Sequence, residues 1–452
     1  MTRPLLLPLV AALLSGCVNL VPDYRQPAPA MPQVAAVPVP ADDASQVSRR
    51  DFFTDARLRA TVELAVANNR DLRVAALNVQ RARAQARIQD AALVPGLDAA
   101  AGASRSSNGT SLSAGLSLAS FELDLFGRVR NLSESALQSY LATDAGRRST
   151  EISLVAEVAN AWLTLAADLE RQRLAAQTLD SRRSSLTLAE RRHALGAITG
   201  LSLAQTQSLV DSSRLDVARY AAQIEQDRHA LELLLGTALP AGLAPASEQN
   251  LADTSRLVEL PAGVPAELLQ RRPDVLQAEH QLRGSVAQIG VARAAFFPRI
   301  SLTAAAGTAS SELSGLFKAG SRSWNFGPSL SLPILDGGAN AATLESATLD
   351  RDIATAQYDK AVQTAFREVA DALSVRASLA ERLAAQRALV DNAERQLNLA
   401  NALHRAGSTG MLEVLDAQRS LYSAQQSLID LRLTEQGNRL ELYKVLGGGW
   451  KS

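Results

Sequence analysis

Hydrophobic positions are spaced most regularly near the C-terminus. Val362, Val369, Leu383, Val390 and Leu397 fall on a seven-residue repeat interrupted at Arg376, and residues 339–406 contain neither Pro nor Gly. A sustained seven-residue repeat is the seam of a coiled coil. At the α-helical rise, the predicted helix is roughly 100 Å long. After a tight turn at Gly407-Ser-Thr-Gly410, Leu421, Leu428 and Leu442 continue the same spacing, interrupted at Glu435. Residues 337–446 thus read as one long helical hairpin.

The first half carries the same pattern. Val158, Leu165, Leu179 and Leu186 form a seam interrupted at Gln172, a break follows at 196–200, and Leu203, Val210, Val217, Ile224 and Leu231 keep an unbroken period of seven. Each long hairpin is preceded by a different pattern. Leu112, Ala114, Leu116 and Leu118 alternate with Ser111, Ser113, Gly115 and Ser117, and the phase then flips to Phe121, Leu123 and Leu125. Asn108-Gly109 is a hairpin signal. In the second half Trp324, Phe326, Leu330, Leu332 and Ile334 alternate with Ser323, Asn325, Gly327, Ser329 and Ser331, with Pro328 and Pro333 interrupting. An apolar face backed by Ser and Gly suits a strand between lipid and water. Shorter helices are expected over 51–69, 71–93 and 274–295, and a Ser/Gly-rich loop over 308–322.

The halves are an internal repeat. At an offset of 203, Asp71, Ala75, Ala84, Gln85 and Pro95 match Asp274, Ala278, Ala287, Gln288 and Pro298. Beyond the strands the offset is 211, matching Glu157, Asp180, His193, Gly196 and Gln207 to Glu368, Asp391, His404, Gly407 and Gln418. The organisation follows: a first repeat over 51–236 (strand pair 96–126, helical hairpin 127–236), a connector over 237–265, a second repeat over 266–447 (strand pair 299–335), and a tail over 448–452. The fold class is mainly α with a small β part. Four strands cannot close a barrel with a lumen, and open edges are not tolerated in lipid. Two, three or four chains must share one barrel; the residues alone do not choose among these.

Composition narrows the function. The 46 basic and 46 acidic residues balance, which does not suggest nucleic-acid binding, and no run of 18 or more apolar residues is present. The sole cysteine, Cys17, excludes an intrachain disulfide. It follows Arg3, an apolar run from Leu5 to Leu14, and Leu14-Ser15-Gly16. This resembles a bacterial lipoprotein signal over 1–16, cleaved before a lipidated Cys17. Val18 in place of Asp implies, by the same resemblance, outer-membrane sorting. Residues 17–50 are Pro- and Ala-rich and read as an extended tether.

Taken together, the lipobox, the two-fold repeat, the strand pairs and the long hairpins resemble the TolC-like outer-membrane factor family, in its lipidated NodT/OprM-type efflux branch. Phe121-Glu-Leu-Asp-Leu-Phe-Gly-Arg128, Pro333-Ile-Leu-Asp-Gly-Gly338, Arg271-Arg-Pro-Asp274, Ala295-Phe-Phe-Pro298, Leu415-Asp-Ala-Gln-Arg-Ser-Leu421 and Leu446-Gly-Gly-Gly-Trp450 carry the likeness. It spans nearly the whole chain. It implies a homotrimer whose twelve-stranded outer-membrane barrel is continuous with a periplasmic α-helical barrel. It further implies passive conduction of drugs or other solutes, with a periplasmic membrane-fusion adaptor and an inner-membrane RND-type pump as partners.

Leu412, Asp416 and Arg419 share one helix face. Spacing alone favours a solvated face with a routine Asp–Arg pair. The resemblance implies instead a periplasmic gate: an apolar constriction from Leu412, an acidic ring from Asp416, and Arg419 tying helices together. Gly196, Leu201, Ser202, Gly407 and Glu413 mark the helix tips expected to meet the adaptor. His193 and His404, just before the turns, make a poor metal site without cysteines or carboxylates at ligand spacing, and helix capping accounts for them. Glu157 and Glu368 read as interhelical pairing groups. No phosphate loop, nucleophile motif or zinc signature is present, so neither an enzyme nor a cofactor is expected. A protein-secretion duct and a non-conducting coiled-coil tether are the competing functions. The strands oppose the tether, and the lipobox with the closing Gly-Gly-Gly-Trp favours efflux.

Overall fold

The computed structural model describes residues 18–25, 49–107, 109–246, 257–258 and 271–448. The signal 1–16, Cys17, most of the tether, Asn108, most of the connector and Trp450 lie outside the described residues. The elements are α1 (Arg49–Phe52), α2 (Ala56–Asn68), α3 (Arg70–Ala91), β1 (Asp98–Ser106), β2 (Gly109–Leu123), α4 (Arg128–Ala194), α5 (Gly200–Leu235), α6 (Pro273–Ala294), β3 (Arg299–Ser310), β4 (Arg322–Ser331), α7 (Ala339–Arg405) and α8 (Met411–Val445), with short 3-10 turns at Ala241–Leu243 and Leu313–Gly315. The chain forms two compact units, each drawing segments from both sequence repeats.

The first unit includes residues 75–147 and 273–363. Its centre is an antiparallel sheet in the order β1-β2-β3-β4. The register places Leu116 and Leu118 of β2 beside Ala306 and Ala304 of β3, and those alanines beside Trp324 and Phe326 of β4, on one face, where Leu112 and Ala114 also lie, beside Ser310 and Thr308. The opposite face carries Ser113, Gly115, Ser117, Ser301, Thr303, Ser323, Asn325 and Ser329. The phase flip read from the sequence is a bulge. The β2–β3 register shifts between Leu118 and Phe121, and Ser120 takes φ 48°. The one extra residue returns Phe121 and Leu123 to the apolar face, opposite Leu302 and Ile300.

Gly115 and Gly307 are directly opposed, and a Cβ on Gly115 would lie 2.7 Å from the Ala306 carbonyl oxygen. Side chains there would force β2 and β3 apart. The strands differ from expectation at their ends. β2 starts at Gly109, and β3 runs to Ser310, into the stretch read as loop, because Gly307 and Thr308 still pair with Ser323 and Arg322. β4 stops at Ser331, so Leu332 and Ile334 are not strand residues; Pro333, lacking an N–H, cannot extend the ladder.

The extended residues 18–25 are fastened to this unit. Asn131 donates to Asn19 Oδ1 at 2.9 Å, Arg293 to the Leu20 carbonyl at 3.2 Å, and the Tyr24 hydroxyl to Glu279 at 3.4 Å, with Arg283 over the Tyr24 ring.

The second unit includes residues 33–74, 148–272 and 364–452. Its core gathers Phe52, Phe53, Leu58 and Val62 with Val158, Trp162 and Leu163 of α4, Leu231 and Leu235 of α5, Val369 of α7, and Leu440, Tyr443 and Val445 of α8. Seam positions Val158, Leu165, Val210, Ile224, Leu231, Val369, Leu383 and Leu442 are all buried. By length and composition alone α4 could cross a bilayer, but its most apolar stretch is 56% buried, as in a core helix. The single helix expected over 51–69 is two. Phe53 bridges to Leu257, and Asp55 caps α2 by accepting from Arg57 N at 2.7 Å and Leu58 N at 3.0 Å.

Candidate gate and helix tips

Both long hairpins, α4–α5 and α7–α8, turn by the same device. Gly196 (φ 69°) and Gly407 (φ 75°) adopt the left-handed conformation. Gly196 N donates to the His193 carbonyl at 2.9 Å and Ala197 N to the Arg192 carbonyl at 2.8 Å; Gly407 N to His404 at 3.1 Å and Ser408 N to Leu403 at 2.9 Å repeat the pattern. These are Schellman caps, which satisfy the last helical carbonyls and favour glycine. The paired histidines complete them. His193 Nδ1–H donates to the Ile198 carbonyl at 3.2 Å, and His404 Nδ1–H to the Thr409 carbonyl at 3.1 Å. With its proton on Nδ1, His404 accepts at Nε2 from the Arg192 guanidinium at 2.8 Å, joining the end of α4 to the end of α7. Sequence reasoning found the two caps but not this bond.

The returning helices start differently. Thr199 caps α5 through Ser202 N at 3.3 Å, whereas Gly410 offers α8 no side chain and Glu413 supplies negative charge in the first turn. Leucines cluster at these tips: Leu195 is 84% exposed, Leu201 70% and Leu412 52%.

Leu412, Asp416 and Arg419 lie along α8. Asp416 accepts a hydrogen bond from Arg419 of the same helix, and both side chains are exposed. Among the described residues of one chain, the ion pair of Arg419 stays within α8. Other groups link α8 to its neighbouring helices. Tyr422 donates its hydroxyl to Asp216 of α5 at 3.1 Å, and Gln426 donates to the Tyr220 hydroxyl at 3.0 Å. Buried Arg182 of α4 donates to Ser213 Oγ at 2.8 Å and to the Leu209 carbonyl at 3.1 Å, and its guanidinium lies 5.4 Å from the Tyr422 ring centre. Burial, and secondarily the Asp216 charge, push the Tyr422 hydroxyl above its ordinary pKa, so it remains a donor. Burial lowers the pKa of Arg182. Sequence reasoning missed this network. A signal for it exists: at the 211 offset Tyr422 faces Asp211, Arg182 faces Ala393 and Arg419 faces Ser208, so these polar groups occur where the repeat breaks its own symmetry.

At the start of α4, Glu122 accepts from Arg128 at 2.7 and 2.6 Å and lies 3.4 Å from Arg299, while Asp124 accepts from Val129 N and Arg130 N. The acidic residues of the Phe121–Arg128 motif thus fasten the strand end to the helix start. Among the described residues no cluster of His, Cys, Asp and Glu is arranged to hold a metal.

The sequence matches the family described as outer membrane efflux protein over residues 61–237 and 264–448. The chain belongs to the outer membrane efflux protein family. Membership makes it a channel and not an enzyme. It is similar to the toluene efflux pump outer membrane protein TtgC of Pseudomonas putida, with 43% identity covering 100% of this chain and 96% of TtgC. The cation efflux system protein CusC of Escherichia coli is 40% identical, covering 99% of each chain. The crystal structure of the open state of the Neisseria gonorrhoeae MtrE outer membrane channel superposes with a TM-score of 0.88 at 37% identity, covering 96% of this chain and 99% of MtrE. As an outer membrane efflux protein, the chain needs one lipid-facing and one water-facing sheet surface, and the register of β1–β4 supplies both.

Proposed function

We propose that this outer membrane efflux protein is the outer-membrane duct of a tripartite efflux assembly and works as a homotrimer. The observation that carries the reading is the sheet. Its apolar face runs across all four strands, yet β1 and β4 each have only one neighbour. In lipid, those edge N–H and C=O groups must pair, and copies of the same chain satisfy them by joining β4 of one to β1 of the next. Three copies make twelve strands around an aqueous lumen. A lipid on Cys17 would add a second attachment; the fastening of Asn19, Leu20 and Tyr24, shortly after Cys17 in the sequence, to the sheet unit supports it.

The helix tips receive the periplasmic adaptor, which links the duct to an RND-type inner-membrane pump. Support comes from the exposed Leu195, Leu201 and Leu412, which a partner surface would cover. Gly196 and Gly407 set the turns, and Ser202 and Glu413 give the two tips different polarity. In the trimer the three Leu412 side chains form the constriction, the three Asp416 carboxylates an acidic ring, and Arg419 moderates that ring from within its own helix. TtgC is named for toluene and CusC for cations; the cargo of this chain is set by its pump.

Single-channel recording in planar bilayers tests the gate. Asp416→Ala is expected to raise conductance and weaken cation preference relative to the wild-type trimer. Unchanged conductance and selectivity would remove Asp416 from the gate.

A further inference from the structure

The apolar face of the sheet ends differently on its edge and middle strands. Toward the hairpin end, β1 presents Ala99, Ala101, Ala103 and then Arg105. β4 presents Leu330, Pro328, Phe326, Trp324 and then Arg322. On the middle strands the same face ends in Thr110 of β2, and in Thr308 and Ser310 of β3. The guanidiniums therefore cap only the two edges. Both are exposed, as is Lys318 in the loop between β3 and β4. Neither Arg105 nor Arg322 has an ion-pair partner among the described residues, and Glu312 is the sole acid of that loop. At the opposite, helix-proximal end, the strand-associated arginines are neutralised: Arg128 and Arg299 by Glu122, and Arg130 by Asp124.

We infer that Arg322 of one protomer and Arg105 of the next form a binding site for the phosphate of a lipid headgroup, at each subunit seam on the external rim of the barrel. The inference rests on the trimeric reading, because only closure brings a β4 edge against a β1 edge. Two features commit the occupant to a lipid. The unpaired cations lie at the border of an apolar band, where acyl chains would continue inward along Trp324 and Phe326, respectively 81% and 59% exposed. Guanidinium also matches phosphate with paired N–H donors. The site would bind an interfacial phosphate and hold the seam between protomers.

Trp324 follows Arg322 on the same face and serves as the reporter. The full-length trimer is reconstituted in phosphatidylcholine vesicles containing a minor fraction of brominated phosphatidic acid or, in parallel, brominated phosphatidylcholine. Bromine quenches the fluorescence of a contacting indole, and the signal of Trp324→Phe is subtracted. Because each basic residue at an anionic surface contributes about 1 kcal/mol, the phosphatidic acid should be preferred about fivefold or more. The Arg105→Gln/Arg322→Gln double variant should lose most of that preference while remaining trimeric by size-exclusion chromatography. Equal quenching by both lipids overturns the inference, as does a preference that the double variant keeps. Displacement of the preference by millimolar inorganic phosphate would show a free-anion site and overturn the lipid assignment. A wild-type protein that is monomeric would instead remove the trimeric reading itself.

Discussion

Arg272 donates its Nη1 to the main-chain carbonyl of Val445 across 3.1 Å, and its Nη2 to Glu368 at 2.7 Å. The first repeat contains the counterpart. Asn69, at the position 203 residues earlier, donates to the carbonyl of Leu234, 211 residues before Val445, at 2.9 Å. Both side chains are buried, at 7% and 4% exposure. The same task, satisfying a carbonyl at the end of a returning helix, is done by an arginine in one half and an amide in the other. Glu368, read from the sequence as a pairing group, has Arg272 of the Arg271-Arg-Pro-Asp274 motif as its partner.

This asymmetry predicts unequal costs. Asn69→Ala removes two hydrogen bonds, the one given to the Leu234 carbonyl and the one accepted from Leu72 N at the start of α3, and should destabilise by about 1–2 kcal/mol. Arg272→Ala also leaves the Glu368 carboxylate without its partner; because Glu368 is partly solvated, the loss should be about 2–3 kcal/mol, below the range for a fully buried pair. Thermal unfolding of the two purified variants, followed by circular dichroism at 222 nm, should place Arg272→Ala lower in Tm; equal shifts would mean that the Glu368 contact is worth no more than the Leu72 cap bond.

Asp227 of α5 predicts a pH dependence. Burial raises its pKa to about 6, helped by hydrogen bonding to Asp168, while Gln223 at 3.0 Å opposes the rise. The Arg171 charge relieves it only in part, since that guanidinium is bonded to Asp168 and Asp430. The native pKa is above the unfolded value, so the native state holds this proton where the unfolded chain has released it. Its contribution to stability is therefore most favourable below the unfolded pKa and is lost as pH rises through about 6. Asp227→Asn, which cannot ionise, should exceed the wild type in Tm at pH 8, and the gap should narrow by pH 5. A gap that is constant with pH would refute the linkage.

Gly115 and Gly307 predict an assembly defect. A side chain at either meets main-chain atoms of the other strand: a Cβ on Gly115 would lie 2.7 Å from the Ala306 carbonyl oxygen, and one on Gly307 would run into the Ala114 carbonyl oxygen. Gly115→Val should therefore separate β2 from β3 and sharply lower the outer-membrane level of folded protein, measured by heat-modifiable mobility on gels. Ser113→Val, also on the polar face, lacks that close approach and should assemble. Normal assembly of Gly115→Val would show that the strands yield.

Much of this protein is written in local order. The seven-residue seams, the period-two strands, the two Gly turns and the 203 and 211 offsets are properties of neighbouring residues, so the sequence by itself determined the long helices, the strand pairs, their order and the repeat, but not the split of 51–69 into α1 and α2. It also carried the change of phase between Leu118 and Phe121, which the structure resolves as the β2 bulge, one inserted residue that keeps the apolar side in place. The tertiary structure alone decided what lies across a gap. That Arg192 reaches His404, Tyr422 reaches Asp216, and Arg272 serves Val445 depends on the rotation and axial offset of packed helices, which a seam leaves free to within a turn. The end of β3 at Ser310 was likewise fixed by its partners on β2 and β4, not by its own residues. Periodicity is a one-dimensional quantity and fixes which face is buried; a hydrogen bond spans only about 3 Å, and which two side chains come that close is settled when the elements are brought together.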